Sequence, residues 1–312
     1  MIKPVSVAAL PVAENFIIQK NRIENNVGPT CKRVCVVTGT HGDELEGQYV
    51  CARLARILNE DKQSLSGIVD IYPALNPLGI DSVTRGFPMF DLDMNRIFPG
   101  SPNGLMAEVA ANDIIRDIEG ADMCIDIHSS NIFLREIPQV RVSEQTADTL
   151  LPYAMMLNVD LVWIHASATV LESTLAHSLN TRGVKTLVVE MGVGMRITEN
   201  YCSQLVDGIL NMLRELKMWS GHVEQVREPL VSKDYRIDFL NSDAHGIFIP
   251  CAAHGSRVNV GDRIGKVIDP LAGAVVEETL APSSGLLFTL REYPVVFGGS
   301  LLARIMGDSK NG

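Results

Sequence analysis

"VVTGTHGDELEG", residues 36–47, ends an apolar run in Thr38-Gly39-Thr40 and then presents His41, Asp43 and Glu44 before a helix-like pattern begins. A buried strand that exits into a histidine and two acids has two readings. One is an ordinary strand-to-helix turn, with Asp43 as N-cap and Glu44 favoured by the positive end of the helix dipole. The other is half of a metal site. An HxxE pair alone is a weak signal, because chance supplies one in many chains of this size. The rest of the chain has to decide.

Working outward, five short apolar runs read as strands: "VCVVT" (34–38), "IVDIYPA" (68–74), "MCIDI" (123–127), "LVWI" (161–164) and "TLVVE" (186–190). Between them, residues 44–62 carry Leu45, Val50, Leu54 and Leu58 at helical spacing, and "GLMAEVAANDIIRDIEG" (104–120) is similar. Strands alternating with helices predict an α/β fold, with layers around a mixed, mostly parallel sheet buried on both faces. Such folds bind ligands beyond the carboxyl ends of their strands, so residues directly after strands are the first candidates for chemistry.

At 312 residues the chain is long enough for two domains. Its 46% apolar and 21% charged content excludes a disordered chain. A net charge of −10 without long runs of either sign argues against a nucleic-acid partner. No segment approaches the roughly 18 consecutive apolar residues of a membrane span. The N-terminal "MIKPVSVAALPVAENF" makes a poor signal peptide. Cys31, Cys35, Cys51, Cys124, Cys202 and Cys251 form no CxxC pair, and several lie in apolar runs, which suits free thiols in a reducing cytoplasm. Homo-oligomerisation is compatible with a soluble enzyme of this size.

After residue 235 the pattern becomes short, Gly-punctuated and strand-like, which divides the chain into domains 1–235 and 236–312. Val258, Val260, Gly261, Ile264 and Ile268 match Val295, Phe297, Gly298, Leu301 and Ile305 at a constant offset, an internal half-repeat. A small all-β sandwich or barrel of two similar halves is expected. The pattern resembles biotinyl/lipoyl domains, but those carriers need a lysine at the hairpin between the halves, and "DPLAGAVVEETLAPSSG" has none.

Three further elements bear on the roles of His41 and Glu44. His128 directly follows the strand "MCIDI" and completes a His/Glu/His set with His41 and Glu44, the set that catalytic zinc uses. Asp126, two residues earlier on the same side of the pleat, either orients a ligand or serves structure. Glu190 ends "TLVVE", where it is either an exposed strand-end acid or a general base facing a site. Residues 76–100, "NPLGIDSVTRGFPMFDLDMNRIFPG", form a Gly- and Pro-rich stretch too long for a simple connection. Its Arg85 and Arg96 are natural partners for a substrate carboxylate or a developing oxyanion.

"GTHGDELEG", "NPLGIDSVTRG", "DLDMNRIFPG", "DIHSS" and "VVEMG", in this order, resemble the succinylglutamate desuccinylase/aspartoacylase family, deacylating relatives of the zinc carboxypeptidases. The resemblance covers the region through about residue 235, and the C-terminal β region also looks like the family's. It implies a zinc-carboxypeptidase-like fold and one zinc ion per chain, held by His41, Glu44 and His128, with Glu190 as general base. It gives Arg85 the polarising of the scissile carbonyl, and Asn95 and Arg96 the substrate's carboxylate. Arg182, in "NTRGVKTLVVE", falls near a further substrate-binding arginine of the family, although its spacing to Glu190 is shorter than in aspartoacylase. The usual "DLNR" reads Asp93-Met94-Asn95-Arg96 here, and the nearer likeness is to the bacterial general-deacylase branch.

The expected function is therefore a zinc-dependent hydrolase that removes an acetyl- or succinyl-type acyl group from a small N-acylated amino acid. Two alternatives stand beside it. A metallocarboxypeptidase acting on short peptides would use the same zinc and the same Arg96. A binding module that keeps the fold with a degraded site would fail to bind zinc.

Overall fold

In the computed structural model, which describes residues 1–166, 172–233 and 236–308, the chain opens with an antiparallel pair, β1 (Ile2–Ala9) and β2 (Asn15–Asn25). Next come β3 (Arg33–Thr38), α1 (Glu46–Glu60), β4 (Gly67–Tyr72), α2 (Pro77–Ser82), α3 (Met106–Ile118) and β5 (Met123–Ser129). They are followed by β6 (Leu134–Ser143), α4 (Ala147–Ala154), β7 (Leu161–His165), α5 (Leu175–Asn180), β8 (Lys185–Gly192), α6 (Glu199–Glu215) and β9 (Leu230–Lys233). The five apolar runs coincide with β3, β4, β5, β7 and β8, with Pro73 and Ala74 falling past the end of β4, and the two helical patterns overrun α1 and α3 by two residues at each end. No helix of the described residues is long and apolar enough to cross a membrane.

The rest is strand: β10 (Ile237–Asn241), β11 (Gly246–Pro250), β12 (Arg257–Val258), β13 (Arg263–Asp269), β14 (Ala274–Leu280), β15 (Gly285–Arg291), β16 (Val295–Val296) and β17 (Leu301–Gly307). One large sheet runs β1-β2-β4-β3-β5-β8-β6-β15-β17-β10, with β12 beside β15, β7 beside β6 and β9 beside β7. Parallel pairing is confined to β4-β3-β5-β8 and β6-β7-β9, so the sheet is mixed rather than mostly parallel. Both flanks are antiparallel because a hairpin adds to β4 on one side and the C-terminal strands add to β6 on the other.

Strand parity sorts the side chains of the centre. Val36, Ile125, Ile127, Leu187 and Val189 share a core with Val50 and Leu54 of α1 and with Leu205 and Ile209 of α6. Cys35, Val37 and Cys124 share another with Ala110, Ala111 and Ile114 of α3. Helices therefore cover both faces, as apolar side chains on both sides of a strand demand. Asp126 and His128 continue the row of Cys124 toward the carboxyl end, where polar groups replace the core.

The half-repeat becomes a pairing rule. β11 pairs with β13 as β15 pairs with β17, while β10 joins β17 as β14 joins β13, and β12 joins β15 as β16 joins β11. Each half lends its outer strands to the other half's sheet. One of the resulting sheets, β14-β13-β11-β16, stands apart, whereas the other is continuous with the large sheet. The junction is β6, whose residues 134–136 pair with β15 and whose residues 139–143 pair with β7. Pro138 lies at the change of partner, where a strand needs no N–H donor. The boundary expected at residue 235 falls on residues 234–235, outside the described residues.

Candidate active site

His41 leaves β3 through a turn built on two glycines. Gly39 has φ +70°, and a Cβ on Gly42 would stand 2.0 Å from the carbonyl carbon of Gly79. Only glycine allows that approach, and it docks the 76–86 segment on the turn, where the Gly42 N–H donates to the Arg85 carbonyl at 3.2 Å. Asp43 does not cap the helix. α1 begins at Glu46 with Leu45 in the cap position, so Asp43 and Glu44 precede the helix. Asp43 Oδ1 is buried without a hydrogen-bond partner.

Glu44 lies between two imidazoles. His41 Nδ1 is 2.7 Å from its Oε1, and His128 Nδ1 is 3.0 Å from its Oε2. The Ser129 N–H also donates to Oε2 at 3.1 Å, and Arg85 Nη1 donates to Oε1 at 2.8 Å. The outer nitrogen of each ring lies near another carboxylate: His41 Nε2 is hydrogen-bonded to Asp93 Oδ1 at 3.0 Å, whereas His128 Nε2 is 3.2 Å from Asp126 Oδ2 without hydrogen-bond alignment. Two imidazole nitrogens and a carboxylate oxygen within 4.8 Å of one another fit a divalent cation. Carboxylates behind the rings are the usual way such ligands are oriented. Asp126 Oδ1 is buried and unpartnered, a further sign that negative charge here exceeds what the protein neutralises.

The proton affinities agree. Burial opposes charge on both rings, yet Asp93 and Glu44 raise His41, and Asp126 and Glu44 raise His128 well above the ordinary imidazole value. Burial also works against the Asp93 anion, but its contact with His41 holds that carboxyl down to about 2. Burial likewise opposes Glu44, whose two imidazole neighbours keep it below the usual range. A cation would replace those protons on the rings.

Glu190 is level with His128 in the parallel β5/β8 register. With Val188 and Thr186 it lines a cavity of about 900 Å³, and burial pushes its carboxyl upward despite Arg141 and His128 nearby. A carboxyl with a raised pKa is the kind that exchanges protons near neutrality. Arg85, Asn95 and Arg96 line the same cavity. Asn95 and Arg96 belong to a short 3-10 turn, Met94–Arg96, capped by Asp93, and Asn95 Oδ1 accepts from the Leu175 N–H at 3.0 Å. The structure thus gathers His41, Glu44, His128, Glu190, Arg85, Asn95 and Arg96. It leaves Arg182 outside, on the exposed turn after α5, where its guanidinium returns to the Ser178 carbonyl at 2.8 Å.

Sequence reasoning missed Asp93 as the outer partner of His41. It also missed β6, whose Glu136 and Arg141 reach the cavity wall, and Arg304 from β17. The signal was present as alternation in "QVRVS" (139–143), but a polar side of a strand reads as solvent-facing until a site is known.

The model of the succinylglutamate desuccinylase/aspartoacylase catalytic domain matches residues 30–216. The chain is 27% identical over 290 residues to an N-alpha-acetyl-L-2,4-diaminobutyric acid deacetylase of Halomonas elongata, spanning 87% of this chain and 80% of that one. It is similar in fold to the product-bound ectoine utilization protein of Ruegeria pomeroyi, with a TM-score of 0.82 at 21% identity over 98% of each chain. A succinylglutamate desuccinylase/aspartoacylase of Rhodobacter sphaeroides gives 0.82 at 23% identity, over 99% of this chain and 96% of that one.

Proposed function

Because the chain belongs to the succinylglutamate desuccinylase/aspartoacylase family, we propose that it is a zinc-dependent amidohydrolase that deacylates small N-acylated amino acids. The observation that carries this reading is the convergence of the two Nδ1 atoms on Glu44, at 2.7 and 3.0 Å, with Glu190 level with His128. His41, Glu44 and His128 would hold one zinc ion. Bound there, zinc supplies Lewis acidity and lowers the pKa of water from 15.7 to about 7.

The chain's own groups do the rest. Glu190 takes the proton of the attacking water and returns it to the departing amine, a task its raised pKa suits. Arg85 holds the oxyanion that develops on the acyl carbonyl. Asn95 and Arg96 bind the free carboxylate of the amino acid, where a guanidinium fork selects by geometry as well as charge. The Halomonas relative makes N-alpha-acetyl-L-2,4-diaminobutyric acid the first substrate to try. Cys35, Cys51, Cys124 and Cys202 are buried free thiols, which suits a cytoplasmic enzyme.

Glu190→Gln tests the reading. Released amine should fall by about 10²–10⁴-fold on N-acetyl and N-succinyl amino acids, with zinc content unchanged by metal analysis. Dipeptides assayed in parallel should be poor substrates of the unaltered protein. Faster turnover of dipeptides would turn the reading toward a carboxypeptidase, and a protein that takes up no zinc would sink it.

A further inference from the structure

We infer that Arg141, Glu136 and Arg304 are positioning residues for Glu190, forming a relay of alternating charge through which the C-terminal strands fix the orientation of the catalytic carboxylate. The inference rests on the reading of Glu190 as the base. Glu136, on β6, is buried and divides its carboxylate between two arginines: Oε1 accepts from Arg304 Nη1 at 2.7 Å and Oε2 from Arg141 Nη2 at 2.6 Å. Gln139 Nε2 also donates to Oε2. The second arm of Arg141 carries the relay onward, with Nη1 3.6 Å from Glu190 Oε1.

The charges indicate a purpose beyond packing. One arginine would neutralise Glu136. Two leave a surplus positive charge, and the group that closes the balance is Glu190, on the neighbouring strand. Arg141 and Arg304 are only part-buried, but in a cavity wall such a counter-charge still favours them. The backbone enforces the geometry: Gln139 is level with Glu190 in the β6/β8 pairing, and Arg141 with Val188, so the relay and the base share one face of the sheet. Trp163 restrains the arginines. The guanidinium carbons of Arg141 and Arg304 lie 5.4 and 5.5 Å from its ring centre, and that of Arg304 lies 5.3 Å from Phe239 of β10. An arginine fork can hold a carboxylate on each arm, which a lysine ammonium does far less well.

Arg304 lies on β17, in strands that contribute none of the zinc ligands, so its removal separates positioning from chemistry. With N-alpha-acetyl-L-2,4-diaminobutyric acid, or whichever acyl amino acid the protein turns over fastest, Arg304→Ala should lower kcat by up to about 10²-fold, the scale of a small misplacement of a reacting group. KM and zinc content should stay near the unaltered values, and Arg304→Lys should recover part of the loss. Arg141→Lys should recover little relative to Arg141→Ala, because it cannot span both carboxylates. If Arg304→Ala yields no folded protein, Glu136→Gln removes the bridge with little change of shape and should show the same fall in kcat.

Unchanged kcat in Arg304→Ala and Glu136→Gln, beside an inactive Glu190→Gln, would overturn the relay and leave the base reading intact. A rise in KM with kcat preserved would overturn it in favour of substrate binding by these arginines. Undiminished turnover in Glu190→Gln would instead remove the base reading on which the relay rests.

Discussion

Two buried groups of charge lie in the same sheet and are balanced in opposite ways. On β4, Asp70 is met by Arg22 at 2.7 Å, Arg33 at 2.9 Å and Lys20 at 3.3 Å. Asp117 completes that group, accepting from Lys20 and from the Tyr72 hydroxyl at 2.6 Å each. Its basic residues, Lys20, Arg22 and Arg33, outnumber the carboxylates they serve. Around Glu44 the proportion reverses. Asp93 and Asp126 stand beside the two imidazoles, Arg85 is the guanidinium in hydrogen-bond contact with Glu44, and buried oxygens of Asp126 and of Asp43, next to Glu44 in the chain, have no hydrogen-bond partner. The first group is satisfied by the protein's own side chains. The second has the composition of a cation's ligand set with its outer supports.

The sharpest way to break this contrast is to remove one member from each group. His128→Ala should abolish turnover and reduce zinc, by metal analysis, to the background of the apo-protein, because a carboxylate and one imidazole cannot replace the set. Retained stoichiometric zinc would remove the distinction between the groups. Asp70→Asn should act on the other axis, lowering unfolding free energy by about 3–5 kcal/mol because three cations lose their buried partner. Turnover per folded molecule should stay as it was, and a denaturant titration beside an active-site titration reads both.

Acid should reveal the same asymmetry. Burial raises the Asp70 carboxyl, but the hydrogen bond with Arg22 and the charges of Lys20 and Arg33 outweigh it and leave the pKa lowered. A depressed carboxyl contributes stability that is present above its unfolded pKa, about 3.9, and is lost as pH falls through the folded value. The unaltered protein should therefore lose stability below about pH 4, and Asp70→Asn should lose less over that range.

The same contrast explains what was legible in the sequence. The candidate ligands His41, Glu44 and His128 could be read because they lie at or shortly beyond the carboxyl ends of strands whose apolar runs announce them. Asp93 could not, because its role depends on a loop folding back fifty-two residues to reach His41. β2 was unreadable for a different reason: Lys20 takes an inward position that periodicity reserves for apolar residues, and only its pairing with Asp70 and Asp117 permits this. In the C-terminal region the repeat was visible as matched residues, but the exchange of outer strands between its halves was not. Nor was the attachment of one half to β6, since strand partners leave no mark in composition. The α/β class was legible throughout, while the mixed pairing of the sheet depended on which edges accept additional strands.

A smaller effect sharpens the boundary of the second group. Asp93→Asn keeps the side chain's shape but replaces the anion behind His41 with a neutral amide. Zinc affinity in a competition titration should fall by about 10–100-fold, the usual cost of losing a ligand's outer partner. Thermal stability should barely change, because Asp93 is part-exposed and its loss leaves no buried charge alone. A loss of stability as large as that of Asp70→Asn would mean that both groups serve packing.

The smallest expected effect belongs to Arg182, and Arg96 provides its scale. Arg96 lines the cavity, and Arg96→Ala should cost about 1.5–3 kcal/mol of substrate binding, read as a higher KM, if it holds the carboxylate through charged hydrogen bonds. Arg182 is anchored to the Ser178 carbonyl on an exposed turn. Arg182→Ala should leave KM unchanged and shift stability by less than about 0.5 kcal/mol, as surface substitutions do. A KM increase matching that of Arg96→Ala would require the turn after α5 to move onto the cavity when substrate binds. The 8-residue β8 strand that follows would then carry a substrate-sensing turn before its start and Glu190, the proposed base, near its end.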